Sequence, residues 1–496
     1  MRADEDYDVV VAGGGPGGST LASLVAMQGH RVLVLEKEKF PRYQIGESLL
    51  PSTVHGICRL TGAADRLSQA GFTRKLGGTF RWGARQEPWT FSFSVSPTMV
   101  GATSFAYQVE RSKFDQILLD NARSQGAEVR EQCAVSDVMR DGERITGVVY
   151  TDRDRNECRV RARHVVDASG HNSRLFKQVG GSREYSEFFR SLALFGYYEG
   201  AERLPEPCSG NILCVAFDSG WFWYIPLSPT LTSVGAVVRR EMAGKIQGDP
   251  EKAMEALISE CPMIRDCLAS ARRVTTGEYG ELRVRRDYSY RHTRFWTPGL
   301  TLIGDAACFV DPVFSSGVHL ATYSALLAAR SINSTLSGLV SEEVAFGEFE
   351  NRYRREYGVF YEFLIAFYDM NVSEDSYFWS AKKVTRNSHA ELESFVELVG
   401  GMSSAELSLT RPEAITEQIK TGSAEFAAAI GQLAAGKGGS MVPLFKSSVV
   451  QRAMAEGAQV QVSARLGADA GLEDPLFPGG LVPSADGMSW LAPGAQ

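Results

Sequence analysis

A glycine-rich turn near the start of the chain constrains its fold more than any other feature. The run Gly13-Gly14-Gly15-Pro16-Gly17-Gly18 lies between an apolar segment and a predicted helix, and Glu36 ends the next apolar segment. This is a G-x-G-x-x-G pattern between strand and helix, with an acid about 20 residues further on. Gly13 permits a tight turn, Gly15 lets the backbone approach a pyrophosphate, and Gly18 lets helix and strand pack closely. The pattern predicts a dinucleotide site, with the phosphates at the helix N-terminus and a ribose bound by Glu36.

The composition is that of a globular chain without a general basic field. The 496 residues are 44% hydrophobic and 22% charged, and the net charge of −7 argues against a nucleic-acid partner. The first residues contain no apolar core of a signal peptide, and no apolar run reaches the roughly 18 residues of a membrane span. The eight cysteines show neither CxxC nor zinc-site spacing. We therefore expect a cytoplasmic protein with reduced thiols, no bound metal and no membrane contact.

Hydrophobic periodicity predicts a mixed α/β protein with an inserted sheet. Residues 191–238 are rich in aromatic and β-branched residues between Gly and Pro, which indicates a mostly antiparallel sheet. Residues 342–367 form a predicted amphipathic helix whose aromatic stripe is typical of packing, and residues 475–493 carry too much Pro and Gly for a helix. The other predicted helices are 17–28, 111–125 and 317–337, and the other predicted strands are 127–130, 144–151, 158–167 and 300–303. Residues 436–439 are a predicted loop.

Two further turns follow predicted strands. One is Asp167-Ala168-Ser169-Gly170, and the other is Gly304-Asp305, which opens a helix. Taken singly, an Asp at a strand end is most often a helix cap. The order of these turns after the glycine turn resembles that of FAD-dependent monooxygenases on the p-hydroxybenzoate hydroxylase plan, over residues 6–337. The resemblance implies a glutathione-reductase-like, Rossmann-like FAD-binding fold with an inserted substrate domain.

That resemblance implies which residues hold FAD and how the chain divides. The implied cofactor-binding residues are Gly13, Gly15, Pro16, Gly18, Glu36, Lys37, Arg42, Arg111, Asp305, Gly317 and Val318. The expected domains are a discontinuous FAD-binding domain (1–75, 100–185 and 290–340), a β-sheet substrate domain (76–99 and 186–289) and a mostly helical C-terminal domain (341–496) with a Pro/Gly-rich tail.

Two segments resemble flavin-dependent halogenases in particular. Trp221-Phe222-Trp223-Tyr224-Ile225-Pro226 matches their W-x-W-x-I-P pattern, and Lys75 matches the position of their active-site lysine. The resemblance implies that reduced FAD, O2 and chloride give hypochlorous acid. Lys75 would then capture or hold this oxidant, while Trp221, Trp223, Ile225 and Pro226 would separate flavin from substrate. The tryptophans are also compatible with ordinary core residues of the sheet. The two interpretations do not exclude each other, because side chains that separate flavin from substrate do so by packing.

Residues 311–319 resemble the halide-binding turn of these enzymes, with Ser316 and Gly317 as halide donors. Tryptophan halogenases carry a glutamate two residues before that hydroxyl residue, whereas this chain has Phe314 in the substrate pocket. A phenol donates electrons through its own oxygen and needs such a base less, so the departure favours a phenolic substrate. His319 is either a base near the flavin or a packing and hydrogen-bonding residue.

The resemblance is closest to FADH2-dependent phenol and tyrosyl halogenases of glycopeptide antibiotic biosynthesis, of the vancomycin and balhimycin type. The segments that carry it are residues 40–51, 185–190, 353–363 and 476–483. It implies chlorination ortho to a phenol hydroxyl, on tyrosine or β-hydroxytyrosine held by a peptidyl carrier protein, with reduced flavin from a separate NAD(P)H flavin reductase. A halogenase acting on hydroxyphenylglycine in a lipopeptide pathway would share these features.

Two other functions stay open on the sequence. An FAD-dependent aromatic hydroxylase on the same fold would consume NAD(P)H and need no halide. A flavin-binding scaffold without catalysis would not depend on Lys75.

Overall fold

The protein folds around two large β-sheets flanked by helices. The computed structural model describes residues 5–82, 87–93, 104–369, 475–476 and 479–493. The strands are β1 (Glu5–Ala12), β2 (Val32–Glu36), β3 (Thr73–Lys75), β4 (Gly77–Arg81), β5 (Trp89–Ser92), β6 (Ala106–Gln108), β7 (Glu128–Glu131), β8 (Ala134–Asp141), β9 (Arg144–Thr151), β10 (Glu157–Asp167), β11 (Arg183–Glu199), β12 (Ile212–Phe217), β13 (Gly220–Pro226), β14 (Leu231–Arg239), β15 (Arg272–Arg273), β16 (Arg283–His292), β17 (Trp296–Thr297), β18 (Leu300–Leu302), β19 (Cys308–Phe309), β20 (Val482–Pro483) and β21 (Trp490–Leu491).

The helices complete the framework. They are α1 (Pro16–Ala26), α2 (Cys58–Leu60), α3 (Ala64–Gln69), α4 (Arg111–Ser124), α5 (Pro250–Ser259), α6 (Pro262–Cys267), α7 (Gly317–Leu336) and α8 (Glu342–Asp369). Shorter helical turns cover Ser52–Ile57, Gly170–Asn172, Phe176–Val179, Arg240–Ile246, Gly277–Tyr279, Gly304–Ala306 and Pro312–Phe314. Among the described helices, none is both long and apolar enough to cross a membrane.

The first sheet is built on parallel strands. Its order is β17-β18-β10-β1-β2-β7, in which β18, β10, β1, β2 and β7 pair in parallel and the β8–β9 hairpin joins the edge of β10. All five residues of β2 are buried, because helices cover both faces of a parallel sheet. The mixed α/β fold predicted from periodicity is confirmed, and the helix and strand ends shift by one or two residues at most places.

The second sheet is almost entirely antiparallel. Its order is β19-β16-β11-β14-β13-β12-β4-β5, with one parallel pair between β4 and β12, and β15 joins β11 from the side. The predicted antiparallel region is therefore confirmed, but β11 begins at Arg183 rather than near Ser191. The register of β11 against β16 shifts between Tyr185 and Arg190. This irregular, partly exposed stretch breaks the alternation on which the sequence prediction depends.

The C-terminal elements pack onto the same core as the first sheet. Phe346, Phe349, Tyr353 and Tyr357 of α8 are all buried there, which confirms the packing role of the aromatic stripe over these positions. The side chain of Phe363 and residues 370–474, including the predicted loop at 436–439, lie outside what the structure describes. The tail forms the β20–β21 hairpin instead of a helix, as predicted, and buries Trp490 completely.

Trp490 ties the tail to α7, which predicts a large loss of stability on its removal. Its indole nitrogen donates to Ser331 Oγ at 3.0 Å, and its ring lies 4.9 Å from the Arg330 guanidinium. We expect Trp490→Ala to lower the free energy of unfolding by about 3 kcal/mol in urea titrations. The neighbouring Leu491→Ala is the control and should cost less than about 1.5 kcal/mol, because its side chain is only partly buried. Equal losses in both variants would contradict this prediction.

Candidate functional site

A cavity of about 1140 Å³ is lined by the ends of β1 and β2 and by strands β11 and β13 of the second sheet. It exceeds the roughly 300–1,000 Å³ of a drug-sized ligand site, so it has room for a dinucleotide. Eight basic and four acidic side chains line it, although the chain as a whole carries a net charge of −7. The cavity therefore favours anionic ligands.

The glycine turn lies against the backbone of a second turn. Gly13 has a φ of +108°, and a Cβ there would lie 2.6 Å from the Ala168 carbonyl oxygen. A Cβ on Gly18 would lie 2.0 Å from the Gly13 carbonyl oxygen, so helix α1 could not pack as closely against the glycine turn. Gly15 instead lines the cavity and leaves its backbone accessible. The conformational reasons given for Gly13 and Gly18 are confirmed, whereas the approach of a pyrophosphate to Gly15 stays a prediction.

Glu36, Lys37 and Arg42 lie along the wall beside that turn. The Glu36 carboxylate accepts the Gly14 N–H at 2.7 Å and the Glu38 N–H at 2.9 Å, so the acid also shapes the turn. Arg42 donates to Asp115 at 2.7 Å. A Cβ placed on Gly15 would lie 3.5 Å from Arg42 Nη2, so the Arg42 guanidinium lies beside the glycine turn. A guanidinium placed there can reach a phosphate bound at the turn.

Arg111 holds a loop. Its Nε and Nη2 donate to Asp115 at 2.8 and 2.9 Å, and its Nη1 donates to the carbonyl oxygens of Ile45 at 2.6 Å and Gly46 at 3.2 Å. Most of its donors are therefore engaged within the protein. Although Arg111 lines the cavity as expected, its geometry is that of a residue that fixes the Ile45–Gly46 backbone.

The two aspartate turns differ in their surroundings. Asp167 is fully buried and accepts hydrogen bonds from Ser169 and Ser173, so it stabilises its own turn. Asp305 lines the cavity at the other turn, where desolvation raises the pKa of its carboxyl to about 6 against the opposing effect of Arg111 and other arginines. Asp305 is therefore the aspartate that can contact a ligand.

The tryptophan motif follows the alternation of β13. Trp221, Trp223 and Ile225 point to the cavity, whereas Phe222 and Tyr224 enter the core on the other face of the sheet. The two indole rings lie 6.2 Å apart, and Trp223 donates to Ser233 at 3.1 Å. Pro226 ends the strand. A Cβ on Gly235 would lie 2.2 Å from the Trp223 ring, so the neighbouring strand makes room for it.

Lys75 is buried at the end of β3, with only 3% of its surface exposed. Its Nζ donates to the Leu49 carbonyl oxygen at 3.0 Å and lies 3.5 Å from Ser315 Oγ. Burial lowers the pKa of this amine to about 7. Lys75 therefore contacts the predicted halide turn, and its neutral and charged forms are both accessible near neutral pH.

The predicted halide turn has two unusual residues. Ser315 adopts a left-handed conformation with a φ of +60°, which is disfavoured for a residue with a Cβ. The buried hydroxyl of Ser316 has no hydrogen-bond partner within the part of the chain that the structure describes. Ser315, Gly317 and Val318 line the cavity. An unpartnered buried donor beside a helix N-terminus is suited to an anion.

Phe314 and His319 flank these residues. The Phe314 ring packs against Phe80, with centroids 6.2 Å apart. His319 is buried between Ser52 Oγ, 3.0 Å from Nδ1, and Glu356 Oε1, 2.7 Å from Nε2. Of the two interpretations of His319, this geometry matches the packing and hydrogen-bonding residue.

Sequence reasoning missed Glu47, which lines the cavity and is 2% exposed. Its carboxyl accepts the Tyr197 hydroxyl at 2.8 Å, and the Tyr43 and Tyr197 hydroxyls lie 2.8 Å apart. Desolvation raises the pKa of Glu47 to about 7, against the lowering effect of Ser233, Tyr197 and Arg111. The only sequence signal was its place in the quoted segment 40–51, because an isolated Glu gives no sign of burial.

The raised pKa of Glu47 predicts a pH-dependent stability. Because its pKa is 4.5 when unfolded and about 7 when folded, its contribution is complete below pH 4.5 and is lost as pH rises to 7. We expect Glu47→Gln to remove roughly 3 kcal/mol of that pH dependence, measured by urea titration of the FAD-free protein. Glu143→Gln, in the exposed turn between β8 and β9, is the control. A wild-type slope in Glu47→Gln would contradict the assignment.

The residues of the cavity fit FAD. Gly13, Gly15 and Gly17 line the cavity without side chains, and Arg42 and the α1 N-terminus provide phosphate donors. Glu36 and Asp305 provide acceptors for sugar hydroxyls. These groups come from four separate chain segments and meet along one wall.

Comparison with known proteins identifies the family. The tryptophan halogenase family model matches residues 8–100 and 95–414. A tryptophan 2-halogenase of Chondromyces crocatus is 33% identical over 395 residues, covering 79% of this chain and 73% of the relative. A 1H-pyrrole-2-carbonyl-[peptidyl-carrier protein] chlorinase of Pseudomonas fluorescens is 30% identical over 401 residues, covering 75% of this chain and 85% of the relative.

Solved structures agree with these matches. The myxobacterial chondrochloren halogenase CndH, described as a new variant of FAD-dependent halogenases, has a TM-score of 0.77 and 51% identity, covering 98% of this chain and 100% of that one. The flavin-dependent halogenase CmlS has a TM-score of 0.70 and 31% identity, covering 85% of this chain and 78% of that one. Flavin-dependent halogenases use FAD and chloride, the two cofactors expected from the sequence. The chain belongs to the flavin-dependent tryptophan halogenase family and is an FAD-dependent halogenase.

Proposed function

We propose that the enzyme chlorinates a phenolic ring ortho to its hydroxyl, and that Lys75 delivers the halogen. The observation that carries this proposal is the contact between Lys75 and the halide turn. The buried Nζ lies 3.5 Å from Ser315 Oγ, in the same turn as the unpartnered hydroxyl of Ser316. When bound, reduced FAD would supply two electrons to O2, and the resulting peroxide-level oxidant would take two electrons from the halide to give hypohalous acid and water.

Lys75 can act on hypochlorous acid in two ways. As an ammonium it donates a hydrogen bond that orients the oxidant. As a neutral amine it forms an N–Cl bond with loss of water, and the ring then takes the chlorine while its proton leaves. The lowered pKa supports either form at neutral pH. The methylene groups of Lys75 are buried, and this burial keeps Nζ next to the turn at residues 311–319.

Ser316 and Gly317 are the proposed halide donors. The Ser316 hydroxyl is unpaired within the described residues, and Gly317 begins α7, where free N–H groups and the helix dipole favour an anion. The neighbouring Val318, which lines the cavity, and Pro16 of α1 would contact the flavin. Bromide would bind by the same donors, and we propose chloride as the physiological halide.

Trp221, Trp223, Ile225 and Pro226 are the proposed barrier between flavin and organic substrate. Trp221 is 1% exposed and Trp223 is 6% exposed, although both contribute to the cavity wall. Rings packed this tightly leave no path for a second aromatic molecule through the strand. The hypohalous acid can pass where the substrate cannot, which favours halogenation over oxygenation.

The phenolic substrate is proposed from Phe314, which replaces the glutamate base of tryptophan halogenases. A phenol activates its own ortho carbon, so the ring of Phe314 can serve as apolar lining instead. We propose tyrosine or β-hydroxytyrosine on a peptidyl carrier protein, as in glycopeptide-type antibiotic pathways. Support for a carrier comes from the pyrrole chlorinase and a related brominase of Pseudoalteromonas luteoviolacea, whose substrates are carrier-bound.

The remaining parts of the proposal concern organisation and partners. A separate NAD(P)H flavin reductase would supply FADH2. The FAD-binding domain would comprise 1–75, 100–185 and 290–340, the substrate domain 76–99 and 186–289, and the C-terminal domain 341–496. We place the enzyme in the cytoplasm because all eight cysteines are free thiols.

Replacing Lys75 tests the proposal directly. With reduced FAD from a reductase, O2, chloride and tyrosyl-carrier substrate, mass spectrometry of the wild type should show chlorine in place of hydrogen. We expect Lys75→Met and Lys75→Arg to lose at least about 100-fold in chlorination rate while still oxidising FADH2. Lys113→Met, on the exposed side of α4, is the control. Full activity of Lys75→Met, or incorporation of oxygen from O2 with chloride present, would exclude the proposed reaction.

Replacing Ser316 tests the halide site. Its hydroxyl makes no hydrogen bond within the described residues, so Ser316→Ala should leave the thermal midpoint unchanged or slightly raised. The same change should raise the KM for chloride by roughly tenfold through loss of a donor to an anion. Ser334→Ala, farther along α7, should leave the chloride KM unchanged. An unaltered chloride KM in Ser316→Ala would refute the assignment of this donor.

A further inference from the structure

The turn from Asp311 to His319 is held at both ends by helix α8. At the first end, Asp311 is fully buried and its Oδ1 accepts the Val313 N–H at 3.2 Å. Its Oδ2 accepts the hydroxyl of Tyr368 on α8 at 2.9 Å. Tyr368 is only 2% exposed, so this hydrogen bond is shielded from solvent.

At the other end, His319 meets a second residue of α8. Glu356 Oε1 lies 2.7 Å from Nε2, and Ser52 Oγ lies 3.0 Å from Nδ1. The Glu356 carboxyl group and the Ser52 hydroxyl therefore each face one nitrogen of the imidazole and hold the ring from both sides. The imidazole also stacks on Tyr323, with planes 6° apart.

Ser52, His319 and Glu356 have the order of contacts found in a serine hydrolase triad. The position of Ser52 argues against hydrolysis. Its side chain is buried, and it is not among the described residues that line the cavity. An ester bound in the described cavity would therefore not contact this hydroxyl. The burial of all three side chains instead fits a function in positioning the turn at residues 311–319.

The turn needs such support because its own geometry is unfavourable. Ser315 is left-handed, and the buried hydroxyl of Ser316 lacks a partner in the described structure. Backbone strain of this kind persists only where surrounding contacts over-determine the conformation. Lys75 and Ser52 tie the turn to the segment 49–52, whereas α8 supplies the contacts at residues 311 and 319.

We propose that Tyr368 and Glu356 are positioning residues, through which α8 clamps the halide turn and sets the affinity for chloride. The inference rests on the proposed function of this turn in halide binding. It goes beyond that proposal because neither residue is one of the proposed halide donors, Ser316 and Gly317. It also assigns a function to the first helix of the C-terminal region.

The test uses variants that remove each contact. Tyr368→Phe deletes only the hydroxyl and keeps the ring against Trp82, 5.4 Å away. Glu356→Leu removes the carboxylate, and Glu356→Gln restores an acceptor of the same shape. Glu348→Leu, which breaks the Glu348–Arg352 pair elsewhere on α8, is the matched control.

We expect Tyr368→Phe and Glu356→Leu to raise the KM for chloride by roughly five- to tenfold, with the substrate KM and the kcat at saturating chloride within about twofold of wild type. Glu356→Gln should recover most of the affinity. In the FAD-free protein, hydrogen exchange of the backbone amides at 313–319 should accelerate in the first two variants and not in Glu348→Leu.

Two results would overturn the clamp. One is wild-type exchange at 313–319 in both Tyr368→Phe and Glu356→Leu. The other is an equal rise of the chloride and substrate KM values, because that indicates general damage. If the wild-type enzyme itself shows no dependence on chloride, the proposed function fails instead, while the exchange experiment still decides whether α8 holds the turn.

Discussion

The parallel pairing of β1 with β2 and β10, and of β10 with β18, is the constraint on which the rest of the site depends. Parallel strands place their carboxyl ends at the same edge of a sheet. The glycine turn, Glu36, the Asp167 turn and Asp305 follow these strands, so residues almost 300 positions apart share one wall. Only glycine fits at position 13, because the backbone of Ala168 would lie 2.6 Å from a Cβ.

Desolvation is the second physical principle of the site. The amine of Lys75 and the carboxyl of Glu47 are both buried, and burial moves the pKa of each toward 7 from opposite directions. Each group therefore changes charge near neutral pH, which an exposed lysine or glutamate does not. Trp221 and Trp223 are themselves 1% and 6% exposed, and their role in limiting access to the site is part of the proposed function.

Much of the fold was predictable because the chemistry of each element is local. Strand β9 was predicted at its observed limits, and the two-residue period of Trp221, Trp223 and Ile225 gave their common face directly. The start of β11 was missed because its bulge interrupts that period. The expected contact of Arg111 with a ligand stays a prediction: Arg111 lines the cavity, and the spacing of four residues to Asp115 along α4 also engages its guanidinium within the protein, which the sequence analysis did not anticipate.

By itself, the sequence determined the nucleotide-binding turn, the mixed α/β class and the motifs of the halogenase family, since these depend on residue type at short spacing. Only the tertiary structure decided that Glu47 is buried, that Lys75 lies beside Ser315, and that Tyr368 and Glu356 reach the two ends of one turn. Such contacts join segments tens to hundreds of residues apart. Their distances depend on how whole sheets and helices pack, which no local pattern encodes.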